Sequence, residues 1–175
     1  MMKEQASEFI RRLSELGKGD QVALKRALGE TLNGSSGKAQ AAFFKVYLGG
    51  NEGSTFLAAT VICFLGIEEE TAKGNGSVGE ALHRYKVKEA KVKEAMEDST
   101  GLDNKLAAIL DVQIGVQEEF FASKISRIIR MLKQKDCIPE YGQLVVDLTN
   151  WDKETRYVQR SWAKDYYSKR EEERE

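Results

Sequence analysis

Apolar residues recur along this chain at intervals of three and four, from Phe9, Leu13 and Leu16 near the start to Val158, Trp162 and Tyr166 near the end. That spacing lines large side chains along one face of a helix. A first helix is predicted from about Lys3 to Leu16, with Gly17 placed to end it. Asp20 can cap a second helix, which carries Leu24 and Leu28 on one face and stops near Gly29. Gly34-Ser35-Ser36-Gly37 reads as a flexible link. Lys38 to Leu48 then buries Phe43, Phe44, Tyr47 and Leu48 and ends at Gly49-Gly50, and Ser54 to Leu65 is so uniformly apolar that it should be central.

In the second half, Ser77 and Glu80 have the spacing of a capping box, and Val78, Leu82, Tyr85, Val92 and Met96 share a stripe, so one long helix is predicted from Ser77 to Met96. Glu89 interrupts the stripe. A tandem duplication lies within it, Lys86-Val87-Lys88-Glu89-Ala90 and Lys91-Val92-Lys93-Glu94-Ala95. Its five-residue period does not match the helical repeat, so the copies face different ways and no functional repeat follows. Helices should follow at Leu102 to Leu110, Val116 to Lys135, Pro139 to Trp151, where proline is tolerated at a helix start, and Lys153 to about Lys169. Glu171 to Glu175 reads as a frayed charged tail. Leu144, Leu148 and Trp151, with Val158, Trp162 and Tyr166, make both tryptophans core anchors of a helix pair.

One proline in 175 residues and almost no alternating pattern point to an all-α protein, a multi-helix bundle of about eight or nine helices. Asp98 to Gly101 is the natural boundary between two packed helical subdomains, 1–98 and 102–175, of a single module.

Composition narrows the class. A hydrophobic fraction of 41% suits a chain that folds around its own core without staples. Cys63 and Cys137 are far apart and in no metal-like pair, so neither a disulfide framework nor a zinc site is indicated, and a reducing cytoplasm fits. The longest apolar run, Phe56 to Gly66, is too short to span a bilayer, and the first residues lack a signal-peptide core.

Catalytic and cofactor chemistry finds little support. Gly74-Asn75-Gly76-Ser77-Val78-Gly79 satisfies the dinucleotide fingerprint G-x-G-x-x-G, but that motif needs a strand directly before it, and here an acidic stretch, Glu68 to Lys73, precedes it. The only histidine, His83, reads as a helix-surface residue, and Cys63 as a small hydrophobe. Glu118-Glu119 and Glu68 to Glu70 read as solvated faces and helix-terminus charges. No catalytic residue, metal ligand or cofactor is assigned.

Net charge is -1, which argues against a uniformly polyanion-binding surface and leaves room only for a local one. The sharpest segment is Phe120 to Lys135, which contains Lys124, Arg127, Arg130, Lys133 and Lys135 and no acidic residue. On a helical wheel Phe121, Ile125, Ile128 and Leu132 form an apolar stripe, whereas Arg127, Arg130 and Lys133 fan over the opposite side. Such a helix can dock into a core and still present cations that grip phosphates without reading bases. Lys25-Arg26 and the same-face pair Lys38 and Lys45 add basic spots in the first half. A solvated surface is the competing reading of these charges.

Several segments, taken in order, resemble the CasB family, the small subunit of type I-E CRISPR surveillance complexes (Cascade). They include Ala23-Leu24-Lys25-Arg26-Ala27, Ala42-Phe43-Phe44-Lys45-Val46-Tyr47 and Ser77-Val78-Gly79-Glu80-Ala81-Leu82, the last against a family pattern S-L-G-x-A-L that opens a helix. Asp103 to Leu110 resembles an E-R-R-L-x-x-L-L segment, with Asn104 replacing one of the paired basic residues before Lys105. Ile125 to Lys133 resembles an L-R-x-L-V-x-L-L-K helix. The closing pattern I-D-Y-x-x-L-x-x-D-L-x-x-W appears as Pro139-Glu140-Tyr141, Leu144, Asp147-Leu148 and Trp151, with Glu140 where Asp is usual, and W-A-x-x-Y-Y as Trp162-Ala163 and Tyr166-Tyr167. The Lys-Val-Lys-Glu-Ala duplication has no counterpart.

The resemblance implies a non-catalytic, all-helical subunit, present as two copies beside the other Cascade subunits, that touches guide RNA and target DNA backbones and helps hold the displaced DNA strand. Guide pairing would supply sequence specificity, so the protein would need only backbone-directed charge and a rigid shape. The residues expected to meet nucleic acid are Lys25, Arg26, Lys38, Lys45, Lys105, Arg127, Arg130 and Lys133. A helical adaptor with protein partners only, and an enzyme, are the alternatives.

Overall fold

Glycines and capping side chains cut the chain into helices at the places where its apolar stripes break, and the computed structural model describes residues 1–67, 74–92 and 100–168. Within them lie α1 (Lys3–Glu15), α2 (Lys18–Arg26), α3 (Gly37–Val46), α4 (Glu52–Leu65), α5 (Val78–Val92), α6 (Thr100–Leu110), α7 (Glu118–Gln134), α8 (Tyr141–Thr149) and α9 (Tyr157–Tyr167). No strand occurs among the described residues. The bundle is all-α, as the near absence of proline and of alternating patterns predicts.

Helix α4 is the hub. Every residue from Ser54 to Cys63 is buried, because α4 is apolar on all sides and is surrounded by α2, α7 and α8. Asn51 starts it by accepting the amide N–H of Ser54 at 2.9 Å, and Gly66 ends it at φ +114°, a conformation open to glycine. Helix α1 packs on α8, α5 on α9, and α6 on α7 and α9, so helices from both halves of the chain meet in one hydrophobic core.

The boundaries differ from the sequence expectation where local chemistry intervenes. Gly17 does not close α1 in a left-handed turn; Leu16 does so in an extended conformation, and Gly17 precedes α2 as its N-cap. Asp20 therefore lies inside the first turn of α2 and is not its cap. Ser36, drawn as part of a link, caps α3 by accepting the Ala39 amide at 3.2 Å. Phe44 is 51% exposed, because α3 turns Phe43 to the core and leaves its neighbour outside. Pro139 sits before α8, whose N-cap is Glu140: its carboxylate accepts from Gly142 at 2.8 Å and Gln143 at 2.5 Å. The last helix starts at Tyr157 because Arg156 adopts a left-handed conformation, φ +50°. Glu68 to Lys73, Lys93 to Asp98 of the long-helix and boundary reading, and Glu171 to Glu175 lie outside the described residues, as does the side chain of Val92.

The glycine fingerprint has a structural use. Asn75 donates its amide to the Ile138 carbonyl at 3.0 Å and Glu140 donates to Gly76 at 2.9 Å, so residues 74–76 lie against the entry to α8. Arg84 clamps both strands of chain, donating to Asn75 at 2.8 Å and Ile138 at 3.0 Å. A Cβ at Gly74 would fall 1.7 Å from the Pro139 carbonyl oxygen, and one at Gly79 would fall 2.2 Å from that of Trp162. These glycines are demanded by backbone meeting backbone, not by a pyrophosphate. Ser77 also fits: its hydroxyl accepts from Glu80 N–H at 3.2 Å and donates to Asp165 at 2.6 Å, tying the start of α5 to α9.

Both tryptophans are fully buried, and their rings meet edge to face at 4.8 Å between centroids. They do not hold α8 and α9 side by side along their lengths, however; the Trp162 indole ties those helices by donating to Asp147 of α8 at 2.7 Å. Trp151 lies just past α8, donates to the Val112 carbonyl at 2.8 Å and packs on Phe121, while α9 lies mainly along α5.

Candidate nucleic-acid interface

Helix α7 turns Phe121, Ala122, Ile125, Ile128, Ile129 and Leu132 inward against α4 and α6, which leaves Arg127, Arg130 and Lys133 exposed, as the helical wheel requires. Burial of the apolar stripe fixes the helix, so its outer cations project from a rigid rod. Among the described residues, none of Lys25, Arg127 and Arg130 has a carboxylate within ion-pair distance.

The middle of this face is organised by a residue the sequence reading passed over. Phe64, on the last turn of α4, lies under two cations: the Arg130 guanidinium stands 5.0 Å from its ring centroid and the Lys133 ammonium 4.6 Å. Lys133 also donates to the Phe64 carbonyl at 2.5 Å, satisfying one of the carbonyl groups that a helix end leaves open. Its pKa is lowered, first by burial and then by the positive charge of Lys25 on α2. Arg130 and Lys133, one turn apart on α7, therefore gather over one aromatic ring at the end of α4.

The other assigned cations are placed differently. Lys45 extends from α3 to α2 and pairs with Asp20 at 2.6 Å, and Lys38 reaches the same first turn, its ammonium 3.5 Å from the Cβ position of Gly19. Arg26 is exposed beside Lys25. Lys105, on α6, donates to the Gly101 carbonyl of its own helix at 3.4 Å. Two of the eight thus converge on Phe64, two lean on the start of α2, and Lys25, Arg26, Arg127 and Lys105 stand outward. Phe64 could have been singled out only as an aromatic interrupting the small and aliphatic run of α4, a signal equally consistent with core packing.

Elsewhere the titratable groups serve the fold. Asp147 is buried, accepts from Gln143 Nε2 at 2.6 Å and Trp162 Nε1 at 2.7 Å, and its pKa is pushed up to about 6, chiefly by burial. Burial likewise pushes the Cys63 thiol up to about 12, which makes it unreactive at neutral pH. His83 is half-buried, not the exposed surface residue expected, and its Nδ1 pairs with the Tyr166 carbonyl at 2.9 Å, joining α5 to α9. No group of three His, Cys, Asp or Glu side chains able to hold a metal occurs among the described residues. An open hollow at the start of α9, lined by Asp111, Glu154, Arg156, Gln159 and Arg160, balances two carboxylates against two guanidinium groups and so does not favour a polyanion. No helix among the described residues is long and apolar enough to cross a membrane.

Residues 20–167 match the family profile of CRISPR-associated protein Cse2. Among solved structures, the fold is similar to CasB from M. ruber, with a TM-score of 0.68 at 16% identity, covering 93% of this chain and 92% of that one. It is also similar to a chain of a CRISPR RNA-guided surveillance complex, with a TM-score of 0.67 at 19% identity over 94% of this chain and 92% of that one. A Cse2-family CRISPR-associated protein from Thermus thermophilus gives a TM-score of 0.67 at 16% identity over 94% and 97%. No curated protein matches in sequence.

Proposed function

The chain belongs to the CRISPR-associated Cse2 family, also called CasB, and from that premise we propose that it is the non-catalytic small subunit of a type I-E Cascade complex. In that role it contacts guide RNA and target DNA backbones, helps hold the displaced DNA strand in antiviral defence, and works in the cytoplasm beside the other subunits and a second copy of itself. The observation that carries the reading is the outer face of α7, where Arg127 and Arg130 stand exposed without an acidic partner among the described residues. Cations held on a rigid helix suit a strand whose sequence is read by base pairing, because phosphate contacts position a strand and carry no sequence information. The similarity to a chain of an RNA-guided surveillance complex supports the same setting. Arg26, Lys38, Lys45 and Lys105 are further candidates for contact; Lys45 would first have to leave Asp20.

The test is reconstitution. The tagged subunit, expressed with guide RNA and the remaining complex components, should copurify with both, and its omission should reduce formation of the displaced strand on matched targets. An assembly that forms and opens targets equally well without it would reject the reading. Copurification with protein partners but no dependence of strand opening on the α7 cations would favour the adaptor instead.

A further inference from the structure

Resting on the function proposed above, we infer that Phe64 is a positioning residue, and that its ring and carbonyl hold Arg130 and Lys133 in place as a clamp for one phosphate of a phosphodiester backbone. Four observations meet at this point. The Phe64 ring lies under both cations, at 5.0 and 4.6 Å; its carbonyl takes the Lys133 ammonium at 2.5 Å; and Lys25 is close enough to act on Lys133 electrostatically. The fourth is that no carboxylate pairs with Lys25, Arg130 or Lys133 among the described residues.

Long cationic side chains on a surface ordinarily sample many rotamers, and ordering them on binding has a cost in entropy. Here the cost is reduced beforehand. The ring attracts guanidinium and ammonium alike through its quadrupole, and the negative end of α4 favours the positive charge placed on it. The same arrangement brings like charges together, and an arriving phosphate would relieve that repulsion while accepting charge-assisted hydrogen bonds. A core role explains the ring's contact with the bundle but not why two cations are laid across it.

The experiment uses the reconstituted complex. Phe64→Leu and Phe64→Met keep an apolar side chain and remove the aromatic face, and Phe64→Tyr keeps the face; thermal melting and incorporation into the complex check each variant. Guide-RNA retention and target-DNA affinity are measured across salt concentrations, and the arm that responds identifies the strand. Loss of the ring should weaken binding about two- to fivefold at low salt, the factor corresponding to an exposed cation–aromatic contact, and Phe64→Tyr should restore it. In an Arg130→Gln, Lys133→Gln background, the same loss should have no further effect, since the residues it positions are gone. An equal loss in both backgrounds would make Phe64 merely structural, and an absent loss would make it irrelevant; either overturns the inference while leaving the proposed function intact. If the Arg130→Gln, Lys133→Gln complex itself binds as wild type with an unchanged salt slope, this face does not meet phosphate, and the reading on which the inference rests falls with it.

Discussion

Trp162 donates its indole N–H to the buried carboxylate of Asp147 at 2.7 Å, across fifteen positions of chain, and Gln143 donates to the other carboxylate oxygen at 2.6 Å. Asp147 thus accepts from the buried Trp162 indole of α9, which would otherwise lack a partner, and from the half-buried Gln143 of its own helix. Its burial explains both its value and its strain. As an anion it serves both donors well, yet it has lost most of its hydration, and the loss dominates: its pKa rises to about 6 from a usual 3.8.

Stability should therefore increase when the pH falls from 7 to 5. A carboxyl whose folded pKa lies above its unfolded one binds its proton more tightly in the native state, so its contribution is present in full below pH 3.8 and is lost as pH rises through about 6. Over the interval from pH 7 to 5 the gain is about 1 kcal/mol. Urea melts of wild type and Asp147→Asn at both pH values measure it, and the variant should show little of the gain. Equal pH dependence in the two proteins would assign the titration to another group, of which Glu118, whose pKa burial also raises, is the first candidate.

The tryptophans should behave as one structural unit. Trp151→Ala and Trp162→Ala should each cost about 3 to 5 kcal/mol, the range for deleting a large buried aromatic. Since the two rings touch at 4.8 Å, the double variant should lose less than the sum of the single losses. Denaturant titration of the four proteins closes the cycle; strict additivity would show that each ring is held by the rest of the core and not by the other.

How much of this was legible beforehand depends on the range of the cause. The uniform apolarity of α4 marks it as central and the three-and-four periodicity of α7 marks its stripe as buried, because both are local properties of the sequence. Helix ends set by a single unusual backbone angle were not legible: Arg156 at φ +50° delays α9, and no side chain announces it. Phe44 belongs to the same apolar run as Phe43, Tyr47 and Leu48, and only the docking of α3 decides which of the neighbours faces in. At the candidate site, the outward cations of α7 could be read from its wheel, whereas the meeting of Phe64 with Lys133 spans 69 positions and depends on how α4 crosses α7.

Gly79 offers a test of the reading that replaces the nucleotide fingerprint. In an ordinary helix interior, exchanging glycine for alanine gains about 1 kcal/mol. Here the new Cβ would stand 2.2 Å from the Trp162 carbonyl oxygen, so α5 and α9 would have to separate. Gly79→Ala should therefore destabilise the protein by about 1 to 3 kcal/mol, the usual range for overpacking. A stability at or above wild type in thermal and urea melts would mean that the helices adjust freely, and the close approach would lose its significance.

The last prediction separates cations that are free from cations already engaged. Arg127 is exposed, lies one turn before Arg130 on α7 and has no acidic partner among the described residues, whereas Lys45 is paired with Asp20 at 2.6 Å. If contact with nucleic acid depends on availability, Arg127→Gln should weaken target binding by the assembled complex similarly for every matched guide. It should also flatten the dependence of log affinity on log salt by about 0.7 to 0.9, the contribution of one phosphate contact. Lys45→Gln should change the slope less, because a phosphate would have to displace Asp20 first. Neither exchange should move stability by more than about 1 kcal/mol, as surface substitutions and exposed ion pairs rarely do. Binding measured at four or more salt concentrations in complexes matched for subunit content provides the comparison. A larger slope change at Lys45 than at Arg127 would shift the interface from α7 to the face shared by α2 and α3, and no change at either would return both residues to the solvated surface.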